Sequence, residues 1–395
     1  MNRFLRSLAP LRRISWTMLV AMLLLTAIGV AFVYSACLIR EEASLQRLYL
    51  QHAQLAAVAL VGLLALACID FRSVLRWSPL FYLASILLLV AVLAKGEERL
   101  GAQRWIFGIQ PSELAKIATI LLLARFLGRK DATRGPGELL LAGLFVAIPA
   151  GLILLQPDIG TALVMAPVLL AMLFAAGTAP KTLLCCVLAA LLLAGGVLGS
   201  IAALEKPDLD PALRKPLSAA TSFLDDYQRK RLLVYLYPER DPHGMAWNKR
   251  QSEIAVGSGG RTGKGFLKGD QNLLGYLPQQ VSFNDFIFSV LAEETGFRGA
   301  AVVLLLFLCI LLPGLWTAAR SKDAAGRLLC VGVVALIASH VFVNIAMTVG
   351  MVPITGLPLP FISYGRTFLL SMYIALGLVQ SVAAHRDRED DARNA

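Results

Sequence analysis

Charge is scarce in this chain. Asp, Glu, Lys and Arg make up 16% of its 395 residues, against roughly 25% in soluble globular domains. A water-facing surface needs more, so the shortage argues against a soluble enzyme. Histidine is scarcer still. His52, His243, His340 and His385 stand far apart, which leaves no spacing for a histidine-built zinc site. None of the six cysteines makes a C-x-x-C pair. Cys37, Cys68, Cys185, Cys186, Cys309 and Cys330 fall mostly inside apolar runs and read as small core residues, not ligands or disulfides. Internal repeats and low-complexity tracts are absent. No small-residue cleavage site follows the first apolar run, Trp16–Tyr34, so it reads as a spanning helix and not as a signal peptide.

What is abundant is hydrocarbon: 57% of residues are hydrophobic and mean hydropathy is +0.68. Apolar runs recur at 14–34, 54–69, 79–95, 112–127, 138–155, 158–176, 182–203, 285–317, 328–350 and 366–384. Their lengths are near the about 17–25 residues that cross a bilayer as a helix. The pattern predicts an all-α polytopic membrane protein: one domain over 1–395, with about ten transmembrane helices. The 285–317 run exceeds a bilayer's need, so part of it must protrude or bend. Arg3, Arg6, Arg12 and Arg13 precede the first span. Arg72 and Arg76, then Arg125, Arg129, Lys130 and Arg134, then Lys181, then Arg320, Lys322 and Arg327 mark alternate short loops. The positive-inside rule puts all of these, both termini and the tail 385–395 in the cytoplasm. The polar segment 204–283 becomes one large extracytoplasmic loop, long enough to escape that rule. The net charge of +11 then reflects cytoplasmic loops beside anionic lipid, and calls for no nucleic acid.

Residues 251–299 stand out against this background. Gly257, Gly259, Gly260, Gly263, Gly265 and Gly269 bare the backbone, Lys264 and Lys268 add positive charge, and Asp285 stands where the next helix begins. Bare N–H groups with lysines suit a phosphate-bearing ligand. The run is not a P-loop, because the pattern ending at Lys264 requires glycine at Ser258 and a hydroxyl residue at Gly265. Asp285 has two readings: a helix cap or a general base at the membrane surface. Arg104 beside Trp105 suits an interfacial anchor or a phosphate contact. Lys116 lies about one turn into the membrane, where it needs a partner; Glu113 is at i,i+3. Asp158 caps the 158–176 run, with Lys116 or Arg104 as candidate partners. Pro353–Gly365, PITGLPLPFISYG, cannot form a regular helix. Such backbone at membrane depth must be buried in protein or line a cavity, and a cavity wall is expected here.

In order along nearly the whole chain stand GAQRW from Gly101, QPSELAK from Gln110, QPDIGTAL from Gln156, QSEIAVGSGG from Gln251, GKG from Gly263, DFIF from Asp285, LAEETGFRG from Leu291 and PLPFISYG from Pro358. Together these resemble the SEDS family of shape, elongation, division and sporulation proteins. Asp226-Tyr-Gln-Arg-x-Arg231 and Asp241-Pro-x-Gly244 look more like its elongation branch than its division branch. The resemblance implies a peptidoglycan glycosyltransferase of the bacterial cytoplasmic membrane that polymerises lipid II on the outer face. It implies a divalent cation (Mg or Mn) with unknown ligands, a class B penicillin-binding protein as partner, and other membrane proteins of an elongation complex. It carries over Asp285 as the aspartate required for polymerisation. Arg104, Trp105, Glu113, Lys116, Asp158, Gln251, Lys264 and Ser363 carry over as substrate-binding residues.

The chain departs from the family beside Asp285. Where the family has an acidic residue after the proline, this chain has Gln279. A histidine is missing, two residues are inserted, Asn284 replaces threonine, and Arg366 follows Gly365 where the family has glycine. Two rivals follow. A lipid II flippase would move lipid without Asp285, and a catalytically weak scaffold would keep cell shape without it.

Overall fold

The structure, a computed structural model, describes residues 9–38, 43–99, 102–129, 135–206, 209–222, 224–242, 244–278 and 281–386. Arg3, Arg6, Gly101, Lys130, Arg134, His243, Gln279 and the tail beyond Arg386 lie outside the described residues. Each apolar run becomes a helix: α1 (Trp16–Cys37), α2 (Leu48–Cys68), α3 (Ser78–Lys95), α4 (Pro111–Leu127), α5 (Pro136–Leu154), α6 (Ile159–Ala175) and α7 (Pro180–Leu204). The polar segment holds α8 (Pro211–Thr221), α9 (Asp226–Leu236) and α10 (Met245–Ser258). Three long helices follow: α11 (Ile287–Arg320), α12 (Ala324–Thr348) and α13 (Arg366–His385). Eight helices are long and apolar enough to cross a membrane among the described residues. The other two of the ten, α4 and α6, are 17 residues each, the lower end of that range. The helical chain carries one small antiparallel hairpin, β1 (Glu97–Arg99) with β2 (Ala102–Trp105), between α3 and α4.

Burial sorts these helices. α13 is almost wholly inside, packed mainly on α2, and α12 lies against α4, α6 and α11. α7 is almost wholly outside, with Leu191, Leu192 and Leu193 bare, as suits a helix facing lipid. Cys37 and Cys330 are buried, and Cys185, Cys186 and Cys309 are exposed.

Two irregular stretches shape one end of the bundle. Residues 349–365 thread between helices as irregular chain with a turn near each end. A Cβ on Gly29 of α1 would stand 2.7 Å from Ile362 Cα, and one on Gly160 of α6 would stand 2.7 Å from Thr355 O. These glycines let two helices touch the thread. Gly160→Val is expected to lower stability by about 1–3 kcal/mol through overpacking; a shift in thermal unfolding midpoint in lipid nanodiscs measures it, and an unchanged midpoint would contradict the contact.

The second irregularity bends α11. At Gly296 the backbone leaves the helix, with φ 65° and ψ −164°. The glycine-rich loop fills the break. Lys264 N donates to Glu293 O at 3.0 Å and Gly265 N to Glu294 O at 2.9 Å, while Phe297 N donates to Gly260 O at 2.9 Å and Arg298 N to Arg261 O at 3.2 Å. The backbone groups freed by the bend are thereby satisfied. A Cβ on Gly263 would collide with Glu294 O, and one on Gly296 with Gly263 N, so both positions need glycine for close approach.

Candidate functional site

A cavity of about 390 Å³ opens where the thread meets the turn that precedes α11. Its wall comes from β2, the turn into α4, the α5–α6 junction, α9, the turn 281–286, the thread from Gly356 to Gly365 and the start of α13. Arg104, Trp105, Glu113, Asp158 and Asp285 all line it, although they come from four separated stretches of sequence.

Asp285 sits in the turn before α11, not on the helix. The cap position belongs to Phe286, and no side chain caps this helix, so the capping reading falls. Hydrogen bonds pin the turn to the thread. Ser363 Oγ donates to Asn284 O at 2.6 Å and accepts from Leu359 N at 2.7 Å; Tyr364 N donates to Phe283 O at 3.0 Å. Asn344 of α12 donates through Nδ2 to both Asp285 O at 2.9 Å and Leu357 O at 2.7 Å. These bonds satisfy backbone groups that no regular helix pairs. They also fix where the Asp285 side chain starts. Ser363 therefore positions the turn and does not line the cavity.

The Asp285 carboxylate accepts no hydrogen bond among the described residues. It faces Arg231: a Cβ placed on Gly356 would lie 3.4 Å from Asp285 Oδ2 and 3.6 Å from both Arg231 Nη atoms. Burial pushes the carboxyl up to about 6, against the pull of the Arg231 and Arg104 guanidinium groups and with a push from Asp158. Near neutral pH such a group is ionised yet basic enough to take a proton.

Arg104 is anchored at the α5–α6 junction. Nε donates to Gln156 O at 3.2 Å, Nη2 donates to Pro157 O, and Nη1 is 3.8 Å from Asp158 Oδ2. Asp158 caps α6 through Thr161 N at 3.1 Å and Thr161 Oγ1 at 2.9 Å, and accepts from Gln110 Nε2 at 3.3 Å. Of the two partners the sequence leaves open for Asp158, the structure selects Arg104. Lys116 turns to Glu113 instead: Nζ is 2.9 Å from Glu113 Oε1 and 2.9 Å from His340 Nε2, while Ser371 Oγ donates to Glu113 Oε2 at 3.1 Å. Lys116 is thus buried below the cavity floor, and Glu113 alone of the pair reaches the cavity wall.

The glycine-rich loop turns to its own chain. Its N–H groups serve the bend in α11. Lys264 Nζ lies 2.7 Å from Glu293 Oε1 and 2.9 Å from Asp270 Oδ2; burial opposes its charge, but bonds to these two acids hold its pKa above the ordinary value. The anions it meets are the chain's own. Neither Lys264 nor Gln251, buried on α10, lines the cavity. Glycine-rich backbone beside lysine has two uses, phosphate binding and close chain packing, and here packing claims it.

Sequence reasoning alone did not single out Arg231, Tyr227 or Arg366 as site residues, although all three line the cavity. Arg231 Nη1 donates to Thr355 O at 2.9 Å and Nη2 to Tyr227 Oη at 2.6 Å, with the guanidinium 4.5 Å from the Tyr227 ring centre. The signal was the Asp226-Tyr-Gln-Arg-x-Arg231 run, whose Tyr227 and Arg231 are one helical turn apart. Three guanidinium groups, from Arg104, Arg231 and Arg366, thus face a cavity that also holds an unpartnered carboxylate. Such an arrangement can bind a polyanion and take a proton beside it.

The family model for the FtsW/RodA/SpoVE group, described as cell cycle protein, matches residues 15–388. This chain belongs to that family. Among its relatives is the peptidoglycan glycosyltransferase MrdB of Escherichia coli (strain K12), 38% identical over 334 residues that cover 84% of each chain. The peptidoglycan glycosyltransferase RodA of Treponema pallidum (strain Nichols) is 34% identical over 94% of this chain and 98% of its own. In structure the chain is similar to one from a peptidoglycan synthase complex that coordinates polymerization and crosslinking, with a TM-score of 0.73 and 28% identity over 94% of this chain and 98% of that one. It is similar also to an aspartate-to-alanine variant of the rod shape determining protein RodA of Thermus thermophilus, with a TM-score of 0.65 and 26% identity over 94% and 98%. The cavity of this FtsW/RodA/SpoVE member is therefore framed by a multi-pass helical bundle shared with its relatives. Its departures, Asn284 and Arg366, both stand on the cavity wall.

Proposed function

We propose that this chain is a peptidoglycan glycosyltransferase that polymerises lipid II into glycan strands during cell elongation and maintenance of rod shape. The observation that carries the proposal is the Asp285 carboxylate, free of protein partners, facing Arg231 in a cavity at one end of a membrane bundle. The family relatives named as peptidoglycan glycosyltransferases support it. Two lipid-linked saccharides meet in the cavity. The 4-hydroxyl of the acceptor attacks the anomeric carbon of the donor, and the bond to the polyprenyl pyrophosphate breaks. Asp285 takes the hydroxyl proton. Arg231, Arg104 and Arg366 stabilise the negative charge that grows on the departing pyrophosphate. A single displacement inverts the anomeric centre and requires one carboxylate base, not a base and a nucleophile.

The reading includes a divalent cation, Mg or Mn. No group of three or more His, Cys, Asp or Glu side chains among the described residues could hold one. Asp158 and Glu113 are engaged with Thr161, Gln110, Lys116 and Ser371. Asp285 is the cavity carboxylate with both oxygens open, and Mg²⁺ is commonly held by one or two carboxylates together with substrate phosphates. Such a cation supplies charge neutralisation at the pyrophosphate when bound.

The reading places the protein in the bacterial cytoplasmic (inner) membrane with both termini cytoplasmic and 204–283 outside, as one membrane domain. Its partners would be a class B penicillin-binding protein, which crosslinks the strands, and other membrane proteins of the elongation complex. The test supplies fluorescent lipid II and Mn²⁺ to the purified chain, with and without that partner, and resolves products on a gel. A polymer ladder from the wild type is expected. Lipid II that crosses liposome bilayers without polymer would favour a flippase, and neither activity would favour a scaffold.

A further inference from the structure

A second, larger cavity of about 520 Å³ lies beside the first, at the head of α10. Trp247, the cations Lys249 and Arg250 and the acids Glu239 and Glu253 are among its walls. A small depression of about 10 Å³ lies between the two as a neck: Arg231 lines it and the first cavity, and Lys249 lines it and the second. Ten cubic ångströms is about the room of one water, so the depression itself does not pass a bulky ligand, and a path between the cavities would have to run over its outer side. There Tyr235 holds a flat face, with Lys249 Nζ 4.7 Å from its ring centre and its hydroxyl fixed to Met351 O at 2.9 Å.

The chemistry of the second cavity differs from that of a lipid site or an ion site. Trp247 is exposed by 36% and stacks edge-on against Tyr276, ring centres 6.3 Å apart. Two rigid aromatic faces thus meet water at one place. Arg250 is exposed and makes no ion pair among the described residues. Lys249 is loosely tied to Glu253 at 3.9 Å. Aromatic faces suit the C–H faces of sugar rings, and amphipathic rings can do this without burying a polar group. The exposed Arg250 head suits a carboxylate. A hydrocarbon tail would want neither. A bare pyrophosphate would leave the aromatics idle.

We propose that this groove, from Arg231 over Tyr235 and Lys249 to Trp247 and Arg250, binds the glycan strand: an oligosaccharide of amino sugars bearing carboxylates. The inference rests on the transferase reading for the identity of the ligand. Its consequence is that a strand several sugars long is held at several points, while a single lipid-linked disaccharide reaches only the first cavity. Each point of contact adds residence without a new tight site, as in any linked binding. Trp247 and Arg250 are binding residues in this scheme, remote from the reacting atoms.

The test uses full-length protein in nanodiscs carrying Asp285→Asn, so that ligand is bound but not turned over. Lipid-free peptidoglycan oligosaccharides, from disaccharide to octasaccharide, are titrated in. Affinity is expected to rise about tenfold or more from the shortest to the longest, and Trp247→Ala is expected to remove most of that gain. Trp247→Phe, which keeps a flat ring, is expected to retain it and shows that the site is still folded. In the active enzyme, Trp247→Ala and Arg250→Ala are expected to shorten the product strands by a larger factor than they slow the first coupling. Equal affinity for all lengths, or a gain that survives Trp247→Ala, overturns the proposal. The two readings fail separately. Polymer without length-dependent binding removes the groove alone. Length-dependent binding that needs Trp247, in a chain that makes no polymer, removes the transferase and leaves a glycan-binding groove.

Discussion

Asp285→Asn is expected to reduce polymerisation of lipid II by about 10²–10⁴-fold, the usual contribution of a positioned general base. The amide keeps the size of the side chain and cannot take the proton. The wild-type pH profile carries a second signature. The folded-state carboxyl titrates at about 6 because burial outweighs the two arginines. Its base form is lost as pH falls through that value, so kcat/KM should drop on an acid limb centred near 6. An acid limb near the ordinary carboxylate value would mean that Asp285 is not the base, or that substrate or a cation bound at the carboxylate changes its surroundings. Stability should move in the opposite sense to activity. A carboxyl whose folded pKa lies above its unfolded value favours the fold when protonated, and that advantage fades as pH rises from the unfolded value through about 6. At neutral pH the wild type therefore carries the cost of a desolvated anion. Asp285→Asn removes it, so the inactive variant should unfold at a higher temperature than the wild type. An inactive variant that unfolds earlier would point to lost structure, not lost chemistry.

Glu113→Leu is expected to destabilise the protein by about 3–5 kcal/mol, the cost of leaving a buried charge without its counter-ion. Lys116 is 1% exposed. Without Glu113 its remaining partner at hydrogen-bond distance is His340, 2.9 Å away, which offers a lone pair and no charge. The double variant Glu113→Leu/Lys116→Met should recover most of the loss, because removing both charges also removes their desolvation cost. Thermal unfolding in nanodiscs of the two singles and the double measures the coupling directly. Activity should not recover with stability, because Glu113 is also part of the cavity wall. A double variant no more stable than the singles would mean that the pair is not the unit it is taken for. Full polymerase activity in the double would mean that Glu113 has no part in the site.

Much of this was legible in the amino-acid sequence, for definite reasons. A bilayer demands long apolar runs, so each of the ten became a helix, with ends shifted by a few residues. The bend in α11 was legible as excess length, though not its place, since Gly296 is one glycine among many. Asp285 was legible through its motif. Its neighbours were harder. Arg231 is 54 residues upstream of Asp285 in a polar stretch rich in arginine, and only the path of the thread 355–365 brings the two side chains to Gly356. His340 is 224 residues from Lys116, and nothing local marks a histidine in an apolar helix as a partner for a distant lysine. The surroundings of Lys264 were not legible, because its glycines are informative about backbone approach but silent about what approaches. The approaching group is a helix of the same chain, not a ligand.

The thread 349–365 also bears on when the protein becomes competent. Asp285 leaves the ribosome well before Asn344, Leu359 and Ser363, the residues that pin its turn. Until these arrive, the turn lacks its fastenings and Arg231 lacks the Thr355 carbonyl that aims it. A nascent chain already holding its first eight membrane helices would therefore possess the aspartate but no working site. Assembly is completed only when the last two helices insert, so a prematurely terminated product should be harmless: it could not release pyrophosphate from lipid-linked sugar at the wrong place.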